Sequence, residues 1–235
     1  MSKDGKWKYP PLSSKESDWV PWASKTFNDI SSIARESTSE NTEDIKWFHS
    51  MGQELKEASH NPWEMDIGMR CKSVKDKSTV DGVRWRDIEV LGEHTEQRQI
   101  NEKWYQISDY ARCALMNQPD RLFIFGIVAH TARFRQRHIY VAIFLSSCLV
   151  SSAAINIISQ PMDIIRLIAR LASLTLQQRG RDPVFNRRWY KEPLATSYNY
   201  HLDFECPKFT AKAIGHISRS TSIIGRRTQV FCARS

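Results

Sequence analysis

The sequence predicts an α/β fold, a mixed sheet with flanking helices, on three observations. Short apolar runs at Met65–Cys71, Trp85–Glu93 and Leu122–Val128 have strand length and strand composition. Between the second and third runs, Ile100, Trp104, Ile107, Ala111 and Ala114 recur at helical spacing. A strand–helix–strand crossover of this kind argues for a mixed sheet.

Each element has its own local signals. Residues 1–40 mix Ser, Lys and Pro with scattered Trp7, Trp19 and Trp22. They read as a disordered or loosely attached segment. From Asn41 a helix is predicted. Asn41 suits its cap, Glu43 and Asp44 its first turn, and Ile45, Phe48, Met51 and Leu55 its apolar stripe. Pro62 breaks that helix before the first strand. A turn-rich segment ending at Asp81-Gly82 leads into the second strand. The helix from Ile100 ends near Asn117-Gln-Pro119. The run at 122–128 is apolar without alternation, as in a central strand covered on both faces. A last helix starts at Pro161 and presents Ile164, Leu167, Ile168, Leu171 and Leu174, with Gly180 and Pro183 marking its end.

At 235 residues the chain has room for one large or two small domains. Its net charge of +8 is uneven: residues 131–235 hold 16 basic and 5 acidic side chains, whereas 61–130 hold 10 and 11. A basic C-terminal half suits an acidic partner such as nucleic acid, while the preceding region is poorly suited to gripping DNA. Five well-separated cysteines without a CxxC pair argue against a zinc site or a disulfide framework. The N-terminus lacks the apolar run of a signal peptide, so cytosol or nucleus is the expected location. Residues 139–158 carry no charge and are long enough for a membrane span. Their serines and the β-rich stretch Ile139–Leu145 favour strands instead, and a membrane partner is not expected.

Two carboxylates define the candidate site. Asp66 opens the first predicted strand and Glu93 closes the second, in an order that resembles the Asp…Glu-x-Lys arrangement of restriction-endonuclease-like folds. There the carboxylates hold a hard divalent cation, usually Mg2+, and the lysine serves the attacking water or the phosphate. This chain has Thr95 in place of that lysine, neutral and too short for either role. Lys72 and Lys103 are the residues able to substitute from elsewhere. No cofactor is otherwise expected. His94, next to Glu93, points to the opposite face of a strand and reads as solvated. The cluster Arg187-Arg188-Trp189-Tyr190-Lys191 reads as a linker with aromatics packed on the sheet, or else as a platform for single-stranded nucleic acid.

Several blocks carry a wider resemblance. Trp85-Arg-Asp-Ile-Glu-Val-Leu-Gly-Glu93, Tyr105-Gln-Ile-Ser-Asp-Tyr-Ala-Arg112, Gln118-Pro-Asp-Arg-Leu-Phe-Ile-Phe-Gly126 and Leu174-Thr-Leu-Gln-Gln-Arg-Gly-Arg-Asp-Pro183 occur in that order. Together they resemble the region upstream of the catalytic lobe in the fungal-type protein kinase family. Ile224-Gly-Arg-Arg-Thr-Gln-Val230 is similar to that family's opening Gly-rich turn, with Gly225 as its remaining nucleotide-binding glycine. The family's aromatic-Asp-Arg-small-Gly stretch is missing from Arg133–Val150, which reads as a local replacement. The 235 residues contain no H-R-D or D-F-G, and Asp203-Phe-Glu205 is a decoy lacking the glycine.

The resemblance covers roughly residues 41–132 and 155–235, and with the readings above it gives three parts: the segment 1–40, an α/β accessory domain over 41–200 that resembles a restriction-endonuclease-like core, and an incomplete β hairpin of a kinase-like small lobe over 201–235. It implies a non-catalytic accessory or regulatory role within a phosphorylating family, served through a protein partner of unspecified kind. Two alternatives stand beside it: a degenerate metal-dependent nuclease-like domain, and a membrane-anchored fragment using 139–158.

Overall fold

The computed structural model describes residues 9–11, 15–36, 45–49, 65–71, 83, 85–96, 100–118, 120–131, 137–146, 148–183, 185–191, 198–206, 209–219 and 229–234. Its first unit is a mixed sheet of seven strands flanked by helices. In chain order these are α1 (Glu16–Glu36), β1 (Ile45–His49), β2 (Ile67–Cys71), β3 (Ile88–Glu96), α2 (Ile100–Asn117), β4 (Phe123–Thr131), β5 (Arg137–Leu145), β6 (Leu149–Ser151), β7 (Ile155–Asn156) and α3 (Pro161–Ser173). A short 3-10 turn, Trp85–Asp87, leads into β3.

The sheet runs β1-β2-β3-β4-β5-β6, with β7 also on β5. β1, β2 and β3 form an antiparallel meander, and β5 is antiparallel to β4. β3 and β4 are parallel, as the α2 crossover requires. One apolar cluster lies between the sheet and α1 with α3, and includes Trp19, Phe27, Trp47, Ile127, Ile164 and Ile168. The other lies under α2, around Trp85, Leu91, Ile107, Tyr110 and Val128.

Three expectations need correcting. Residues 16–36 are a packed helix, with Trp19, Ala23, Phe27 and Ile30 buried along one face. The stripe has helical period, but the serines and lysines around it mask the signal. The segment from Asn41 is not helical where it is described: Ile45–His49 is β1, paired residue by residue with β2. Its β-branched and aromatic residues suit a strand whose two faces are both covered: Trp47 packs toward α1 and Phe48 toward the α2 side. Met51 and Leu55 lie outside the described residues. The uncharged run 139–158 supplies β5, β6 and β7, so the membrane-anchored alternative loses its segment. Among the described residues no helix is long and apolar enough to cross a membrane.

A second sheet follows, with β8 (Phe185–Lys191), β9 (Tyr198–Cys206), β10 (Phe209–Arg219) and β11 (Gln229–Arg234) in the order β11-β10-β9-β8, all antiparallel. It exceeds the single hairpin expected over 201–235, and it begins before residue 200. Arg187–Lys191 form a strand of this sheet rather than a linker.

The segment between the units is fastened to the first. Leu122 N donates to Gly180 O at 2.8 Å and Asp182 N to Asp120 O at 2.7 Å. Gly180 has φ +95°, and a Cβ there would strike the Phe123 carbonyl oxygen, so glycine is required. Helix α3 itself ends earlier than predicted, at Ser173. Buried charges complete the fastening: Arg181 reaches Glu89 at 2.6 Å and Asp120 at 3.0 Å, and Arg121 reaches Glu89 at 2.7 Å. Burial opposes ionisation of Glu89, but the two guanidiniums outweigh it and hold the carboxyl well below its usual range.

Candidate functional site

The β2–β3 register pairs Ile67 with Gly92, so Asp66 at the mouth of β2 lies beside Glu93. Gly92 permits the approach, since a side chain there would run into Ile67. Asp66 Oδ2 accepts the His94 backbone N–H at 2.7 Å, which fixes its carboxyl across the strand end. The two carboxyl groups are close enough for each to bear on the other's ionisation.

Helix α2 supplies the other wall. Lys103, Gln106 and Tyr110 follow at i, i+3 and i+7, one stripe of the helix turned toward β3. Lys103 Nζ donates to Glu93 Oε2 at 2.8 Å, and Gln106 Nε2 reaches Glu93 Oε1 at 3.4 Å. Gln106 also contacts the Tyr110 hydroxyl, which hydrogen-bonds Glu93 in turn. The Glu93 side chain has no exposed surface, and that of Lys103 is 19% exposed.

Electrostatics follow from this enclosure. Burial, and then the neighbouring Glu93 charge, push the Asp66 carboxyl up to about 7. Burial also raises Glu93, against the pull of Lys103. Burial alone would lower Lys103, but Glu93 outweighs it and the amine is raised. Below neutral pH the pair therefore shares one proton, held on Asp66, and its single negative charge is met by Lys103. A divalent cation entering here would have to displace that proton.

The amine missing at Thr95 is thus supplied from the helix. Thr95 is buried and donates to Glu96 O at 3.2 Å. Lys72 lies outside the described residues. Lys103 is ten positions from Glu93 in sequence, and only the fold of α2 onto β3 brings them together. His94 is on the opposite face, as strand alternation requires, but it is not solvated. It is buried, stacked on Trp19 with ring centroids 5.1 Å apart, and 3.2 Å from Thr131 Oγ1. Burial first, and then the nearby cations Lys103 and Arg137, lower its pKa to about 4. Gly225 lies outside the described residues. Among those described, no cluster of three or more His, Cys, Asp or Glu side chains is arranged to hold a metal ion.

Comparison with known proteins gives one match. A sequence model of the family described as fungal protein kinase matches residues 64–235, well over half of the chain. That span begins just before Asp66 and continues through both sheets. No curated protein matches the chain, and no solved structure does.

Proposed function

This chain belongs to the fungal protein kinase family, and on that footing we propose that its α/β unit is a non-catalytic accessory region with a regulatory or interaction role. The enclosure of the carboxylate pair carries this reading. Glu93 is fully buried, its charge is met by Lys103, and Asp66 holds a proton up to about neutral pH. A site built for turnover leaves its carboxylates open to cation, water and phosphate. The 235 residues also lack the H-R-D and D-F-G tripeptides of phosphoryl transfer.

We place the accessory region from α1 to Asp182, the last residue fastened to the first sheet, and a kinase-like small-lobe start from Phe185 onward. In sequence, β10 and β11 flank Gly225, as the two strands around a Gly-rich turn would. A protein is the partner this reading expects. A reducing location, cytosol or nucleus, fits the free thiols of Cys113 and Cys148.

A second reading has its own support. The succession α1–β1–β2–β3–α2–β4, with an antiparallel meander and β4 parallel to β3, resembles the restriction-endonuclease-like core. Lys103 places an amine beside the carboxylates where Thr95 cannot. On this reading the unit is a degenerate metal-dependent nuclease domain, Asp66 and Glu93 bind Mg2+, and the basic C-terminal half contacts nucleic acid.

The two readings part in one assay. The chain is incubated with supercoiled DNA and Mg2+ or Mn2+, and separately with Mg-ATP and a protein acceptor. The accessory reading expects intact DNA and no phosphate incorporation. DNA cleavage that disappears in Glu93→Gln would replace it with the nuclease reading.

A further inference from the structure

A row of donor side chains crosses four strands at the far end of the first sheet. Thr95 on β3 is in register with His130 on β4, His130 with His138 on β5, and His138 with Asn156 on β7. Residues in register share a face of the sheet. Two residues back along the strands, Val128 packs in the cluster under α2 and Tyr140 stacks edge-on against Trp104 of α2, 6.1 Å between centroids. The row therefore continues the α2 face beyond its apolar part, adjoining Glu93.

His130 is the anomaly in this row. Both of its ring nitrogens are shut off from solvent, and neither meets a hydrogen-bond partner among the described residues. Ring nitrogens left in this state cost free energy that a ligand would recover. His138 stands directly opposite on the antiparallel neighbour, at the separation of a cross-strand pair, roughly 4.5–5.5 Å between Cβ atoms.

We propose that His130 and His138 form a two-imidazole site for a divalent first-row transition ion such as Zn2+, distinct from the Asp66–Glu93 pair. Imidazole nitrogen selects Zn2+, Cu2+ and Ni2+ over Mg2+, which prefers oxygen ligands. Thr95, in register with His130, donates its hydroxyl proton to Glu96 O and is not counted as a ligand. Asn156 is not a ligand, because its Oδ1 accepts the N–H groups of Ile158 and Ser159 at 2.9 and 3.0 Å. Lys103 does not oppose the ion with a free charge, since Glu93 neutralises it.

The test is Zn2+ calorimetry on the full 235-residue chain free of any added histidines. One saturable site is expected. His138→Ala should weaken it by at least about tenfold, since loss of even an outer partner of a metal ligand costs that much. His216→Ala and Asp66→Asn, which leaves the Lys103–Glu93 pair in place, should leave it unchanged. His138→Asn serves if the alanine variant loses its circular dichroism, and Cu2+ paramagnetic resonance should then report loss of a coordinated nitrogen. Absence of Zn2+ binding, binding indifferent to His138, or binding lost in Asp66→Asn instead would each overturn the assignment.

Discussion

Asp66→Asn tests the shared proton directly. The folded chain raises this acid from its ordinary 3.8 to about 7, by burial and then by Glu93. Between those values the folded state holds a proton that the unfolded state has released. Stability must therefore fall as pH rises from about 4 to about 7, and level off above. Raising the acid that far is worth ~4 kcal/mol at most, and roughly 2–4 kcal/mol once screening of a partly exposed group is allowed for. Asparagine keeps the geometry: its oxygen accepts the His94 N–H and its amide donates to Glu93, with no proton to lose. The difference in unfolding free energy between Asp66→Asn and wild type should start near zero at pH 4.5 and grow in favour of the variant toward pH 8. Urea denaturation at a series of pH values measures it. A difference that stays constant with pH, or a variant less stable throughout, would refute the shared-proton arrangement.

Three further outcomes follow from the packing. Arg181→Ala removes one of the two guanidiniums on buried Glu89 and an ion-pair partner of Asp120, so it should cost about 3–5 kcal/mol by chemical denaturation. Gly180→Ala forces a left-handed backbone onto alanine against the Phe123 carbonyl; a loss of ~2 kcal/mol or more is expected, read as a lower melting temperature. Trp19→Ala opens a cavity between α1 and the sheet and strips the stacking from His94, for about 3–5 kcal/mol; an unchanged stability would mean that α1 is not packed.

What the sequence revealed, and what it hid, divides by range. Asp66 was legible because it opens a short apolar strand; Glu93, expected to close the next one, lies inside β3, which runs on to Glu96, and the antiparallel register of adjacent strands still brings the two together. The crossover helix was legible from its apolar stripe. Lys103 was visible only as one of two lysines able to reach in, because its approach depends on how α2 seats on β3. Helix α1 was hidden because Trp19, Phe27 and Ile30 sit among serines and lysines, and the helix forms against a sheet whose strands come later in the chain. The buried cluster of Glu89, Asp120, Arg121 and Arg181 joins residues up to 92 positions apart, a separation at which local spacing carries no signal. The histidine row was hidden for the same reason, since register across four strands is a property of the finished sheet.

The enclosed carboxylate pair is tested most directly by titrating Mg2+ into the chain by calorimetry at pH 8, where Asp66 has lost its proton. The accessory reading predicts no saturable binding at millimolar Mg2+, with Glu93 shut in and its charge met by Lys103. A saturable site that vanishes in Asp66→Asn would contradict it and place a working cation site at the mouth of β2.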